Sequence, residues 1–251
     1  MPIIIKTPEE VELMRQGGKI LAEVLEETCK LAKPGISTLE LDEFAEKFIR
    51  DRGGIPSFKG YRGFPGTLCT CINEEIVHGI PKKDRLLKDG DLFTIDCGVT
   101  FGGMITDAAR SIIVGETKSA EKELLIKTAY RALAEATDII KPGMRVGEIS
   151  KKIQEVVEKA GFHIIKDLTG HGVGRFLHES PTILNYFDGN LGSKIQTGMT
   201  LAIEPIFSAK TEFMRTLPDR WTISTKDNSC SVQAENTIAV TENGCEILTI
   251  L

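Results

Sequence analysis

Four acids and two histidines hold the chemistry on offer in this chain. Asp96 and Asp107 flank the turn-like pair Gly102-Gly103, and Glu204 and Glu235 follow in the same order further on. All four lie on or beside runs of apolar and β-branched residues, where a carboxylate is costly unless a cation or a partner meets it. One acid at a strand end needs no explanation, but four in equivalent places do. His171 sits in Gly170-His171-Gly172-Val173-Gly174, whose glycines let backbone and ligand approach closely, and His178 follows in Leu177-His178-Glu179. Carboxylates with one imidazole suit a pair of divalent cations, because bridging carboxylates hold two ions close while neutralising their charge. Such an oxygen-rich set favours manganese, iron(II) or cobalt over a purely structural zinc site, with zinc or nickel as alternatives. The glycines around His171 lack the spacing and the following helix of a dinucleotide fingerprint, so nucleotide binding is set aside. His163, after the helix-ending Gly161, reads as a hydrogen-bonded structural residue.

The elements that must position these groups repeat at an offset of 108 residues. Lys33-Pro34-Gly35 recurs as Lys141-Pro142-Gly143, Gly53 as Gly161, and Gly90-Asp91-Leu92-Phe93-Thr94-Ile95-Asp96 as Gly198-Met199-Thr200-Leu201-Ala202-Ile203-Glu204. Three matched stretches in one register indicate two related halves, about 7–115 and 119–250, in one fused unit with the site between them. Halves that face each other bring Asp96 and Glu204 together. Thr7-Pro8-Glu9-Glu10 starts a helix with a capping box, and Met14, Leu21, Leu25 and Ala32 mark its apolar face. A second helix carries Leu41, Ala45, Phe48 and Ile49, and its copy carries Ile149, Ile153, Val156 and Val157; a helix over 121–141 corresponds to the first. Strands are expected at 91–96, 105–114, 199–207 and 235–241. The order helix, helix, strands, repeated once, predicts an α+β fold in which helices cover one face of an antiparallel-rich sheet and leave the other face for a site.

Composition narrows the function classes. The 251 residues are 41% hydrophobic and 27% charged with a formal charge of −5, ordinary for a folded domain and without a basic footprint for nucleic acid. Lys82, Lys83, Arg85 and Lys88 are interrupted by Asp84, Asp89 and Asp91, which predicts a solvated loop. The six cysteines include no Cys-x-x-Cys pair and are expected to be free thiols in a reducing compartment. No run approaches a membrane span or a signal peptide, so the expected location is cytoplasmic, with no membrane partner.

Longer stretches make a family visible. Asn73-Glu74-Glu75-Ile76-Val77-His78-Gly79-Ile80-Pro81, Gly170-His171-Gly172-Val173-Gly174, Ile203-Glu204-Pro205 and Gln233-Ala234-Glu235-Asn236-Thr237 resemble the motifs of type I methionine aminopeptidases, and the resemblance covers nearly the whole chain. It implies the duplicated pita-bread fold and a short form without the type II insertion or an N-terminal extension. Carried over residue by residue, it implies that Asp96, Asp107, His171, Glu204 and Glu235 ligate two divalent ions, Asp107 and Glu235 bridging them. It further implies that Glu204 shuttles the proton as hydroxide attacks the scissile carbonyl, that His178 meets the oxyanion and that His78 holds the peptide. Phe58, Tyr61, Phe64, Cys69, Leu177 and Trp221 fall where the family lines its methionine pocket. Two positions depart from the common pattern: Phe176-Leu177 stands where many relatives have glycine then phenylalanine, and Asn236 where histidine is frequent.

The activity so implied is removal of the initiator methionine from nascent polypeptides with a small second residue, by a monomer that makes transient ribosome contact. Two rivals remain at this point: a proline-specific aminopeptidase or dipeptidase of the same fold, and a metal-free peptide-binding module.

Overall fold

The computed structural model describes residues 2–251. Helix α1 (Pro8–Leu31) opens with the expected box, Thr7 Oγ1 accepting from Glu10 N while Glu10 accepts from Thr7 N. Helix α2 (Thr38–Asp51) repeats the device with Ser37 and Glu40. Helices α3 (Ala120–Asp138) and α4 (Val146–Lys159) follow, and both ends of α4 lie 108 residues beyond those of α2. The glycines that share this offset also share a left-handed backbone: φ is 95° and 96° at Gly35 and Gly143, 78° and 85° at Gly53 and Gly161, and 80° and 84° at Gly90 and Gly198. A side chain is strained in that region, which is why glycine recurs where a helix or turn must reverse.

The strands are antiparallel throughout. A long hairpin of Leu92–Phe101 and Met104–Ile113 is extended on its outer side by Leu68–Ile72 and Ile55–Pro56. The second large sheet runs Cys245–Ile247, Asn236–Val240, Thr200–Ile203, Thr169–Gly172, Glu179–Leu184. Helices α1 and α2 close one core around Leu21, Leu25, Leu41, Phe93, Ile95 and Val99, and α3 and α4 close another around Leu133, Ile149, Ile153, Leu201 and Phe207. Each such side chain contributes about 1.5–3 kcal/mol by leaving water.

Two strands differ from the sequence-based expectation. The strand expected at 91–96 continues to Phe101, which places Asp96 in its middle instead of at its end. Cys97 and Val99 are fully buried and extend the apolar row past the acid. The strand expected at 199–207 is cut at Glu204-Pro205 because proline has no N–H for the ladder. Its second piece, Ile206–Ser208, pairs instead with Ser231–Gln233 and His163–Ile164. The 82–91 loop also departs from a purely solvated turn, since Arg85 Nη1 reaches the buried Glu75 at 2.6 Å. His163 is exposed at the start of its short strand. All six cysteines are free, and no helix among the described residues is long and apolar enough to cross a membrane.

Candidate active site

In the hairpin register, Asp96 faces Ala109 and Gly98 faces Asp107. Asp96 and Gly98 are two apart on one strand, so both acids project from the same face, which is turned away from the α1 and α2 core. The second half is sewn to this hairpin by backbone and side chain. Glu235 N donates to Ala109 O at 3.1 Å, and Asp107 N donates to Thr237 Oγ1 at 2.9 Å while that hydroxyl donates to Asp107 O at 2.8 Å. Arg110 completes the seam by donating to the carbonyls of Ala109, Glu235 and Thr249 and to Asn236 Oδ1 at 2.7–3.0 Å. Asn236 therefore serves the seam behind the acids rather than the cavity.

His171 and Glu204 enter from neighbouring positions of the second sheet. His171 pairs with Ala202, and the proline break releases Glu204 from the end of the same strand. His171 Nδ1 lies 2.8 Å from Gly172 O, an acceptor only, so Nδ1 carries the proton and Nε2 keeps its lone pair. That bare nitrogen is 3.4 Å from Glu204 Oε1. One ligand atom each from Asp107, His171 and Glu235 lies within 4.8 Å of the others. Gln233, to which sequence reasoning gave no role, donates from Nε2 to Glu204 Oε2 at 3.3 Å and Glu235 Oε2 at 3.2 Å. The signal for it was its place two residues before Glu235 in an extended segment, which aims both side chains the same way.

The five groups are buried, Glu235 to 1% exposure, and among the described residues no lysine or arginine forms an ion pair with any of them. Burial pushes Asp96 up to about 7 and Asp107, Glu204 and Glu235 well above the ordinary carboxylate range; mutual repulsion raises the last three further. Burial also holds His171 down to about 4, so its contact with Glu204 is not an ion pair. Asp96 Oδ1, Asp107 Oδ1 and Glu235 Oε1 are buried without a hydrogen-bond partner among the described residues. Orphaned carboxylate oxygens beside a lone-pair nitrogen fit hard or borderline divalent cations, which supply the missing positive charge.

This burial predicts a pH signature for the metal-stripped protein. Between about pH 6.5 and 8 the unfolded chain has ionised its carboxylates, whereas the folded chain keeps protons on groups such as Asp96. The unfolded state then binds fewer protons, so stability falls as pH rises through the folded values. His78, His171 and His178 are all lowered by burial; their opposite contribution is smaller than that of the four acids at pH 6.5 and is complete by about pH 7.5. The unfolding midpoint of stripped protein should therefore drop from pH 6.5 to 8, and Mn(II) should largely remove the slope. Equal slopes with and without the metal would contradict this electrostatic account.

The acids form the floor of a cavity of about 420 Å³. Phe58, Tyr61, Phe64, Cys69, Leu177 and Trp221 all line it, as do His78 and His178. Phe64 and Trp221 meet edge-on with centroids 5.2 Å apart, and the His171 and His178 rings are 4.5 Å apart. Tyr61 Oη lies 3.1 Å from His178 Nδ1. Trp221 comes from the hairpin Met214–Thr216 and Ile223–Thr225, inserted between Glu204 and Glu235 and paired onto Glu75–Val77. Arg62, with φ of 50°, and Asp167 also line the cavity and were not singled out from the sequence. Phe176, one of the two atypical positions, is 58% exposed and points its bulk outside. A larger groove of about 880 Å³ beside α3 and α4 contains none of the expected site residues.

The sequence pattern of metallopeptidase family M24 matches residues 12–242. The chain is 47% identical over 250 residues to methionine aminopeptidase 1 of Bacillus subtilis, covering 98% of this chain and 99% of that one. The crystal structure of methionine aminopeptidase from Thermotoga maritima superposes with a TM-score of 0.97 at 42% identity, covering all of both chains. The prolidase of Pyrococcus furiosus shares the architecture at a TM-score of 0.79 and 25% identity; 99% of this chain matches 66% of that protein.

Proposed function

Because the chain belongs to the methionine aminopeptidases of metallopeptidase family M24, we propose that its buried carboxylates, His171 and the cavity above them form the peptide-cleaving site. The enzyme is a metallopeptidase that hydrolyses the bond after an N-terminal methionine, and it depends on divalent metal ions. The observation that carries the site assignment is the group of orphaned carboxylate oxygens beside His171 Nε2 at the floor of an apolar cavity.

Asp96, Asp107, His171, Glu204 and Glu235 would hold two ions, with Mn(II), Fe(II) or Co(II) matching the donor set. When bound, such ions supply Lewis acidity at the scissile carbonyl and a nucleophile active near neutral pH. Glu204 takes the proton of the attacking water and delivers it to the leaving amine nitrogen, acting first as base and then as acid. Gln233 fixes the Glu204 carboxylate for that transfer through its hydrogen bond to Oε2. With Tyr61 donating to His178 Nδ1, His178 Nε2 carries a proton and donates it to the oxygen that becomes negative in the transition state. His78, kept neutral by burial, holds the peptide amide. Phe58, Phe64, Cys69, Leu177 and Trp221 surround the methionine thioether, which gains from aromatic contact and from leaving water.

The two related halves, about 7–115 and 119–250, then act as one catalytic unit, each supplying acids to the same floor. The wider reading is a cytoplasmic monomer that trims nascent chains with small second residues and touches the ribosome transiently. Metal-loaded enzyme should release methionine from Met-Ala-Ser and from Met-Pro peptides and leave Ala-Pro-Ala intact. Cleavage of Ala-Pro-Ala in preference would move the site to proline-specific chemistry, which the shared architecture of the prolidase permits.

A further inference from the structure

The mechanism above makes no use of one buried ion pair, between Lys6 Nζ and Glu179. Both side chains are 1% exposed, and they are 173 residues apart in the chain. Glu179 directly follows His178 and begins the strand Glu179–Leu184, while His171 lies on the preceding strand Thr169–Gly172. The segment between them, 173–178, carries both Leu177 and His178 to the cavity. Its shape is held from beneath: Glu179 Oε1 accepts from Phe176 N at 3.0 Å, Gly174 N donates to Phe176 O at 3.1 Å, and Ile105 N donates to Gly174 O at 2.7 Å.

Lys6 reaches this point from the segment before α1. Its backbone N donates to Gly198 O at 2.8 Å, and its ammonium also donates to Ile4 O at 3.2 Å. Gly174, with φ of 150°, is where the lysine stem passes; a Cβ there would lie 2.4 Å from Lys6 Cε. A second tie joins the loop to the first turn of α1, as Arg175 Nε and Nη2 donate to the Glu10 carboxylate at 2.7 and 3.0 Å. The loop bearing His178 is thus clasped by two carboxylate and cation pairs, one of them fully removed from water. A buried pair is poor value as a stability device, because desolvation opposes the attraction, yet it fixes geometry tightly.

We propose that Lys6 is a positioning residue for the reaction, setting the direction of His178 by holding Glu179 beneath the 173–178 loop. The inference rests on the reading of His178 as the hydrogen-bond donor to the oxyanion. A group that acts only in the transition state must be aimed to within a fraction of an ångström, so its support is felt in kcat and hardly in ground-state binding.

The test is a double-mutant cycle on the full-length, metal-loaded enzyme, with kcat and KM on Met-Ala-Ser measured well below the unfolding transition. Lys6→Met should lower kcat on the order of 10- to 100-fold with KM within about 3-fold of wild type. In a His178→Ala background the same change should cost less than about 3-fold, because the residue it positions is gone. Should the single variant misfold with an unpaired Glu179, Lys6→Met/Glu179→Gln leaves no charge buried and should show the same loss. A lower unfolding midpoint with wild-type kcat, or an equal loss of kcat with and without His178, would make the pair a structural fastening and overturn the proposal. If His178→Ala alone kept wild-type kcat, the reading of His178 would fall and this inference with it. An impaired His178→Ala beside an unimpaired Lys6→Met defeats this inference alone.

Discussion

Glu204→Gln is expected to lower kcat on Met-Ala-Ser by about 10²–10⁴-fold, the range for removal of a general acid and base. The substitution keeps size and shape while removing the property that proton transfer requires, a carboxylate that accepts a proton and returns it. Glu204 stands at the end of an apolar strand, is buried, and is braced by Gln233 at 3.3 Å, so it has little freedom to be replaced by solvent. Because Glu204 Oε1 also lies 3.4 Å from His171 Nε2, metal affinity should weaken too, and kcat must be read at saturating Mn(II). Near-wild-type turnover at saturation would show that the proton moves through another group.

Asp107→Asn should separate stability from function. Asp107 is buried with Oδ1 unpartnered, and burial followed by repulsion from Glu235 and Asp96 raises its proton affinity. An amide there is neutral without taking up a proton and offers N–H donors to neighbouring orphaned oxygens. Stripped Asp107→Asn protein should therefore be more stable than stripped wild type by about 1–3 kcal/mol at pH 7.5, the scale of a buried unsatisfied polar group. It should also fail to gain stability from added Mn(II) and lose nearly all activity. A metal-binding protein accepts such repulsion in the empty state because the ions repay it when they bind. A stripped variant less stable than stripped wild type would mean that the carboxylates are not in conflict.

Much of this was legible in the sequence because it rests on local backbone chemistry. The Lys-Pro-Gly and Gly repeats mark turns that only glycine accepts easily, and the same left-handed φ values recur at Gly35 and Gly143 and at Gly90 and Gly198. The capping box at Thr7 and the buried stripes of α2 and α4 are equally legible, whereas the box at Ser37 emerges only from the structure. The strand cut at Pro205 is signalled only by one proline inside the otherwise apolar run of 199–207. Asp96 resembles a strand end because its copy Glu204 follows one, but the first half has no proline there and continues to Phe101. Lys6 and Glu179 left no pattern at all, since nothing local links residues 173 apart. Trp221 entered only through the family resemblance, as its position depends on a hairpin docking against Glu75–Val77.

We infer that the buried acids and His171 become a methionine-releasing site only when divalent ions are present. The most direct test is free methionine released from Met-Ala-Ser by chelator-stripped enzyme, before and after adding back Mn(II), Fe(II) or Co(II). No release is expected from stripped protein, and restored release with at least one of these ions. Undiminished release from protein shown to be metal-free, or none with any ion while the fold stays intact, would contradict this inference.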